Sequence, residues 1–282
     1  MPPRPELHTF IGVDLGGGKG KNTAVAILRA RDGGVVVERY GMGDGAPYYD
    51  DRLIELLLQR EAGTVVGIDA PLTLTACVRC REAVCPGVAP CVDPAVTWFR
   101  RRGGEKQTGQ KPKYTPYTQR PTEVVLHEDH GILPRETLGQ GMGPLTARAA
   151  HLVRALAPAY RLNENLLEVY PKATIWRLLG EATARAYKRH HDQQATRLAG
   201  ILHELPGLTF GPGQWKEPGV QNDHLFDAVI CAYTAFLWAR DGWERPTVDR
   251  DLFAGDGWIW IPPAAPAAKA PGGGHGKGEK RS

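Results

Sequence analysis

The sequence predicts one α/β domain in which helices flank a mixed sheet of five strands. Three observations support this fold class. Short apolar segments ending in an acidic residue recur along the chain, stretches with helical spacing separate them, and 282 residues are enough for one large domain. We find no internal repeat and no sign of a second globular domain.

The first three predicted strands follow one another closely. Segments 10–15 and 23–28 are rich in apolar and β-branched residues, and a glycine-rich loop at 16–20 separates them. A glycine pair then marks the turn before a third strand at 35–40. Because these connections are short, we expect an antiparallel meander.

The rest of the chain supplies helices and two more strands. Apolar residues at helical spacing predict a helix at 50–60, which is followed by a strand at 64–69. A helix between two strands predicts a right-handed crossover and a parallel fourth strand. A helix at 146–156 precedes the fifth strand at 166–170. Further helices are predicted at 173–179, 193–205 and 223–239, the last almost entirely apolar and therefore buried.

This order of elements is that of the ribonuclease H-like fold, and we assign it to residues 8–261. Residues 70–142 lack clear periodicity and are interpreted as an insertion that carries four of the five cysteines and a basic run. Residues 262–282 are rich in Pro, Ala and Gly. Because such a composition cannot bury a core, we expect a disordered tail.

Charge and hydropathy narrow the range of partners. The net charge of +4 is mildly basic, which suits a polyanion without requiring one. No apolar run is long enough to span a bilayer, and Met1–His8 lacks the apolar stretch of a secretory signal. We therefore expect a cytoplasmic protein without a membrane partner.

Acidic residues end three predicted strands and recur on the last helix. Asp14, Asp69 and Glu168 end the first, fourth and fifth strands, which should be neighbours at the sheet centre, where open α/β proteins place their sites. Asp223 and Asp227 are four residues apart and face the same side of the helix. We predict that these five acids are catalytic, although an acid after a strand also forms turns and Asp223 could serve as a helix cap.

Converging carboxylates repel one another, and a divalent cation removes that repulsion. Mg²⁺ and Mn²⁺ prefer oxygen ligands and leave positions open for water and phosphate. Two such ions can stabilise both the attacking and the leaving oxygen of a phosphodiester displacement. The acids therefore predict a Mg²⁺ or Mn²⁺ site and point to hydrolysis of nucleic acid.

Several short motifs occur in an order that resembles a known family. They are Gly12-Val13-Asp14, Gly67-Ile68-Asp69-Ala70-Pro71-Leu72, Glu168-Val169-Tyr170-Pro171, Tyr187-Lys188 and Asp223-His224-Leu225-Phe226-Asp227-Ala228. Over residues 10–240 the chain resembles the family called domain of unknown function 429, described as predicted nucleases of ribonuclease H fold. The resemblance implies that Asp14, Asp69 and Asp227 bind metal, and it extends this role to the other two acids. The acid pair on the last helix is also similar to that of Holliday-junction resolvases.

Four cysteines form a second candidate metal site. Cys77, Cys80, Cys85 and Cys91 follow the pattern C-x2-C-x4-C-x5-C inside the predicted insertion. In a cytosolic protein such spacing favours metal over disulfides. Structural Zn²⁺ suits four thiolates, an iron–sulfur cluster takes the same number, and unligated thiols are the third alternative. Cys231, in the apolar helix, is assigned to packing.

Basic residues interleaved with aromatic ones predict a nucleic-acid contact, because cations grip phosphates and aromatic rings stack on bases. A solvated loop is the alternative interpretation, and Lys188 could equally be an exposed helix lysine. The predicted contacts are Arg100, Arg101, Arg102, Lys111, Lys113 and Lys188.

Three functions remain open at this stage. The first is a metal-dependent nuclease in which the five acids hold metal and an acid or His224 moves a proton. The second is an ATP-dependent enzyme of the sugar kinase and actin-like group, because the loop at 16–20 resembles the first phosphate loop of those kinases. Its usual second phosphate loop and adenosine motif are missing from the sequence. The third is a non-catalytic module that metal stabilises.

Overall fold

The computed structural model describes residues 3–4, 6–104, 112–189, 194–212 and 222–263. Within these ranges the chain has a mixed α/β fold in which helices flank a seven-stranded sheet. The strands are Thr9–Asp14 (β1), Ala24–Arg31 (β2), Gly34–Gly41 (β3), Thr64–Asp69 (β4), Leu166–Val169 (β5), Leu208–Phe210 (β6) and Ile259–Trp260 (β7). The helices are Asp50–Leu58 (α1), Ala76–Arg79 (α2), Pro94–Gly103 (α3), Pro121–Glu128 (α4), Gly143–Leu156 (α5), Pro171–Ala186 (α6), Gln194–Glu204 (α7), Asp223–Asp241 (α8) and Arg250–Asp256 (α9).

The sheet confirms the predicted fold class and adds two edge strands. Its order is β6-β3-β2-β1-β4-β5-β7, in which β1, β2 and β3 form the expected antiparallel meander and β4 lies parallel to β1. This arrangement is consistent with a ribonuclease H-like fold. The prediction of five strands missed β6 and β7 because three and two residues are too short to leave a periodic signal.

Two of the sequence predictions fall partly beyond the described ranges. Residues 264–282 of the predicted tail and Lys111 of the basic run lie outside the described residues. The span 70–142, predicted to be an insertion, contains α2, α3 and α4, and its boundaries stay a prediction. None of the helices in the described ranges is long and apolar enough to cross a membrane.

The two faces of the sheet pack against different helices. Phe10 and Val65 belong to the core that contains α8, whereas Ile11 and Val66 belong to the core that contains residues of α1 and α5. Side chains alternate between faces along a strand. Acids four residues after Phe10 and Val65 therefore lie on the α8 side of the sheet.

A pair of glycines lets α8 lie unusually close to the strands. Gly12 and Gly67 are partners in the β1–β4 register, so they form one flat patch. A Cβ at Gly12 would lie 1.8 Å from the Ala228 carbonyl oxygen, and one at Gly67 would lie 2.7 Å from that of Cys231. Because real Cβ atoms do not approach so closely, only glycine fits under the helix at both positions.

Helix α8 places Asp227, the last of the five predicted acids, at this contact with the sheet. The side-chain oxygen of Asn222 caps its first turn by accepting a hydrogen bond from the Leu225 N–H at 2.9 Å. Every residue from Phe226 to Ala239 is buried. Burial on all sides explains why the sequence of this helix shows almost no polar face. Cys231, assigned to packing, is among the buried residues.

Candidate metal centre

Three aspartates converge where β1, β4 and α8 meet. The parallel register pairs Asp14 directly with Asp69, and Asp227 comes from the first turns of α8 above them. One carboxylate oxygen from each residue lies within 4.8 Å of the other two. Asp14 and Asp227 are buried, whereas Asp69 keeps some exposure. We call these three residues the aspartate triad.

Burial and mutual repulsion make the triad costly in its charged form. Burial raises the pKa of Asp69 well above its ordinary value, and the charges of Asp14 and Asp227 add to the rise. Burial also raises the pKa of Asp227, to about 7, against the opposing effect of Lys188. Without a further cation, the triad therefore retains protons that isolated aspartates would lose.

Lys188 supplies part of the missing positive charge. Its Nζ donates a hydrogen bond to Asp227 Oδ2 at 2.5 Å and lies 3.8 Å from Asp223 Oδ2. Burial is the largest single influence and disfavours the ammonium, but the charge and hydrogen bond of Asp227, together with the charges of Asp69 and Asp223, outweigh it, so the pKa of Lys188 rises. Asp223 itself lies in the first turn of α8 and is not part of the triad.

His224 contacts the triad from its open side. Its Nδ1 lies 2.5 Å from Asp14 Oδ2, and the imidazole is partly exposed. This hydrogen bond raises the pKa of His224, which favours the imidazolium. The Asp14 carboxylate therefore fixes the ring at Nδ1 and leaves Nε2 as the second titratable nitrogen.

The donor set of the triad fits a divalent cation. Among the described residues, the buried Oδ1 of Asp227 has no hydrogen-bond partner, which is rare for a buried polar atom. All three groups offer carboxylate oxygens, the ligands that Mg²⁺ and Mn²⁺ prefer. Asp14, Asp69 and Asp227 could therefore hold such an ion, with Asp227 Oδ1 as one of its ligands.

A cleft of about 420 Å³ opens beside the triad and carries positive charge on its other walls. Asp14 and Asp69 line it together with the cations Arg135, Lys172, Arg185 and Lys188. Within the described part of the chain, Arg135 and Lys172 form no ion pair with an acid. The cleft therefore combines a carboxylate cluster with two cations that are free to meet an anion, whereas Arg185 pairs with Glu181 and Lys188 with Asp227.

Sequence reasoning missed three of these cations. Lys172 follows directly after the β5 motif, at the carboxyl end of a central strand. Because open α/β proteins place their sites at such strand ends, this position could have predicted that Lys172 lines the cleft. Arg135 lies in a connection without regular structure, and Arg185 lies late in α6. Nothing in the local sequence around Arg135 and Arg185 indicated that they line the cleft.

Glu168 is near the triad but faces the other way. The β4–β5 register pairs Glu168 with Ile68, not with Asp69, so Glu168 lies on the opposite face of the sheet from the triad. Its carboxylate accepts hydrogen bonds from Arg120 Nη2 at 2.6 Å, from Arg120 Nη1 at 2.8 Å and from the Leu72 N–H at 2.9 Å. Both oxygens of Glu168 are therefore already bound within the protein.

Arg120 joins Glu168 to a second buried acid. Its Nε donates to Glu123 Oε1 at 3.0 Å, and Glu123 also accepts from the backbone and hydroxyl of Thr137. Burial raises the pKa of Glu123, whereas the two acids together raise the pKa of Arg120 against the effect of its own burial. We call Arg120, Glu123 and Glu168 the Arg120 network.

The basic run predicted to contact nucleic acid is largely occupied by protein groups. Arg100 donates to the carbonyl oxygens of Val88 and Ala89, and Arg101 lies 3.7 Å from Asp249. The remaining contacts are Arg102 with Glu128 and Asp129, and Lys113 with Glu128. These pairs lower the net positive charge of the surface, and a role in binding nucleic acid stays a prediction.

The four clustered cysteines lie on and after α2. Cys77, Cys80 and Cys85 are exposed, and Cys91 is partly buried against the main core. Burial raises the pKa of Cys77, and negative charge on the other three thiols raises it further. Among the described residues, no three of the sulfurs lie within 4.8 Å of one another, so the structure does not gather the thiols as it gathers the triad.

Three hydrogen bonds hold the ends of the glycine-rich loop after β1. Gly16 N–H donates to Thr23 Oγ1 at 3.2 Å, and Gly20 N–H donates to the Gly17 carbonyl at 2.7 Å. The buried guanidinium of Arg148 donates to the Gly16 carbonyl at 2.7 Å. These contacts engage the amides of Gly16 and Gly20, and a phosphate-binding role for the exposed residues between them stays a prediction.

Comparison with known proteins gives a family without an assigned reaction. Residues 12–250 match the model of the family described as protein of unknown function (DUF429). The match covers most of the chain, and the protein belongs to this family. Comparisons with curated proteins and with solved structures gave no match.

Proposed function

We propose that the protein is a metal-dependent nuclease that hydrolyses phosphodiester bonds, with Mg²⁺ or Mn²⁺ held by Asp14, Asp69 and Asp227. The observation that carries this proposal is the unpartnered, buried Oδ1 of Asp227 within a cluster of three carboxylates. A buried cluster with one compensating lysine has a deficit of positive charge. A divalent cation removes that deficit with the ligand type that the cluster offers.

The surroundings of the triad favour a phosphate-containing substrate. Lys172, Arg135 and Arg185 line the same cleft as Asp14 and Asp69. Arginine and lysine bind phosphate through charge-assisted hydrogen bonds, and a nucleic acid presents a series of such groups. A cleft lined by both carboxylates and cations suits a phosphodiester held between metal and protein.

The protein groups divide the chemistry between them. A bound divalent ion supplies a polarised phosphoryl oxygen and a water of lowered pKa. Lys188, which contacts Asp227 at 2.5 Å, keeps positive charge beside the reacting phosphate. His224 is oriented by Asp14 through Nδ1, so its Nε2 can accept or release the proton that hydrolysis moves.

The test is a cleavage assay with purified full-length protein. Labelled single-stranded, double-stranded and branched DNA and RNA would be incubated with Mg²⁺ or Mn²⁺, and with EDTA as the metal-free control. We expect cleavage that needs metal and disappears in Asp69→Asn. Asp51→Asn, which changes an exposed acid at the start of α1, is the matched control and should cleave normally.

A folded, metal-binding protein that cleaves none of these substrates would overturn the nuclease proposal. Cleavage that persists unchanged in Asp69→Asn would also overturn it, because the activity would then come from elsewhere. Calorimetric titration with Mn²⁺ separates the two parts of the proposal. Its binding heat should vanish in Asp69→Asn whether or not a substrate has been found.

A further inference from the structure

The segment that joins α2 to α3 has almost no core of its own. Residues 80–93 contain neither helix nor strand, and residues 81–90 are all exposed. Val84 and Val92 are exposed by 82% and 90%, so even the apolar side chains of this segment bury little surface. Ordering such a chain costs conformational entropy that its own hydrophobic contacts do not offset.

The body of the protein nevertheless fixes both ends of the segment. Cys77 lies in α2, where its backbone N–H donates to the Pro116 carbonyl at 3.3 Å, and Cys80 caps the same helix. At the other end, Cys91 packs against the main core, two residues before Asp93 caps α3. Three of the four thiols thus lie at the fixed ends of one short connection, and Cys85 lies between them.

Two contacts bring the middle of the segment back toward these ends. The Gly87 N–H donates to Cys85 Sγ at 3.4 Å, a contact of the kind that orients thiolate ligands in metal sites. Arg100, in α3, donates to the Val88 carbonyl at 3.1 Å and to that of Ala89. The loop is therefore tied to α3 on the side where Cys91 lies.

We propose that Cys77, Cys80, Cys85 and Cys91 bind one structural Zn²⁺ that holds this segment in place. Four thiolates complete the closed tetrahedral coordination that structural zinc adopts. Because the segment is exposed and has no regular structure, it can move inward to bring the sulfurs together at little cost in packing. The exposure of three of the cysteines favours zinc over an iron–sulfur cluster, whose iron and sulfide would be open to solvent oxidants.

The zinc site connects to the cleft through α2. Arg79 lies between two of the ligands and its Nη2 contacts the buried carboxylate of Asp256 at 2.6 Å. Thr73 donates to the Asp256 carbonyl at 2.5 Å and accepts from Arg120 Nη1 at 2.8 Å. Zinc would therefore hold in place a chain of contacts that ends at the Arg120 network on the cleft wall.

The experiment uses full-length protein purified anaerobically without added metal, and measures metal by elemental analysis. We expect one zinc per chain, its loss in the double variant Cys80→Ser, Cys85→Ser, and its retention in Cys231→Ala, which changes the buried cysteine. Trypsin provides a second readout on unmutated protein. Removal of zinc with a chelator should accelerate cleavage after the exposed Arg81 while α8 stays intact.

Two results would overturn the zinc proposal. Iron together with acid-labile sulfide would identify a cluster instead. Protein free of zinc and iron, with all four thiols open to titration and the same tryptic rate with and without chelator, would leave no metal site. Neither result bears on the aspartate triad, because Mn²⁺ binding is measured separately, by comparing the unmutated protein with Asp69→Asn.

Discussion

The aspartate triad and the Arg120 network are two buried acidic groups beside one cleft, and they differ in how their charge is balanced. In the network, one guanidinium meets two carboxylates, and every oxygen of Glu123 and Glu168 has a donor. In the triad, Lys188 contacts Asp227, His224 contacts Asp14, and one oxygen of Asp227 has no partner. The network is complete within the protein, whereas the triad could bind a divalent cation.

The largest expected effect comes from removing the only cation of the Arg120 network. Arg120→Met leaves Glu123 and Glu168 buried without a counter-charge, and breaking a buried pair in this way costs about 3–5 kcal/mol. Urea denaturation would measure the free energy of unfolding. Arg101→Met, at an exposed arginine, is the control. If Arg120→Met lowered the free energy of unfolding no more than this control does, Arg120 would not be balancing the buried charge of Glu123 and Glu168.

A smaller effect on stability, of opposite sign, is expected in the triad, where removing an acid should weaken metal binding without destabilising the metal-free protein. Asp227→Asn removes one of the three proposed metal ligands. Because the bound ion then loses several kcal/mol of charge stabilisation, we expect cleavage and Mn²⁺ affinity to fall by about 100-fold or more. The metal-free variant should be at least as stable as the unmutated protein, because a buried repulsive charge is gone. Asp223→Asn, which changes the partly exposed acid 3.8 Å from Lys188, should lower Mn²⁺ affinity by less than about tenfold.

The third effect is a pH dependence of stability, to which both buried groups contribute with the same sign because burial raises the pKa of Asp227 and that of Glu123. Burial raises the pKa of Asp227 to about 7 in the folded protein, so the native state binds more protons than the unfolded chain above about pH 4. The metal-free protein should therefore lose stability as the pH rises from there toward 7. Thermal denaturation should show this decline in the unmutated protein and a weaker one in Asp227→Asn.

Metal should reverse that decline. Mn²⁺ binds the ionised carboxylates, so it should raise the melting temperature more at about pH 8 than at about pH 5.5. An equal shift at both pH values would show that the ion does not bind at the titrating aspartates. Arg120→Met should keep the pH dependence of the stabilisation, since the Arg120 network holds none of the three ligands.

The sequence predicted the triad because regular elements carry it. Asp14 and Asp69 each end an apolar strand, and a helix between β3 and β4 required β4 to be parallel. Asp227 stood out as an acid inside an apolar helix. Each of these signals is local. Together they were enough to predict that the three residues lie close together, without knowledge of the strand register.

The position of Glu168 could not be predicted in the same way. Its face depends on the β4–β5 register, and a shift of one residue exchanges the two sides of a sheet. Arg120, its partner, is 48 residues away and comes from a stretch without periodicity. The sequence showed a basic run there, but tertiary contacts alone decide that Arg120 is buried while Arg101 stays exposed.

The glycine pair beneath α8 has a consequence for the ion that the proposed metal site would accept. Gly12 and Gly67 set the separation between the helix and the sheet, and this separation contributes to the distances from Asp227 on the helix to Asp14 and Asp69 on the strands. Mg²⁺ requires oxygen ligands at about 2.0–2.1 Å, whereas Ca²⁺ accepts about 2.3–2.6 Å. Two hydrogen atoms in place of side chains thus act as a spacer of fixed thickness, and a methyl group at Gly12, which would meet the Ala228 carbonyl oxygen, would displace α8 and with it Asp227 without altering any of the three aspartates.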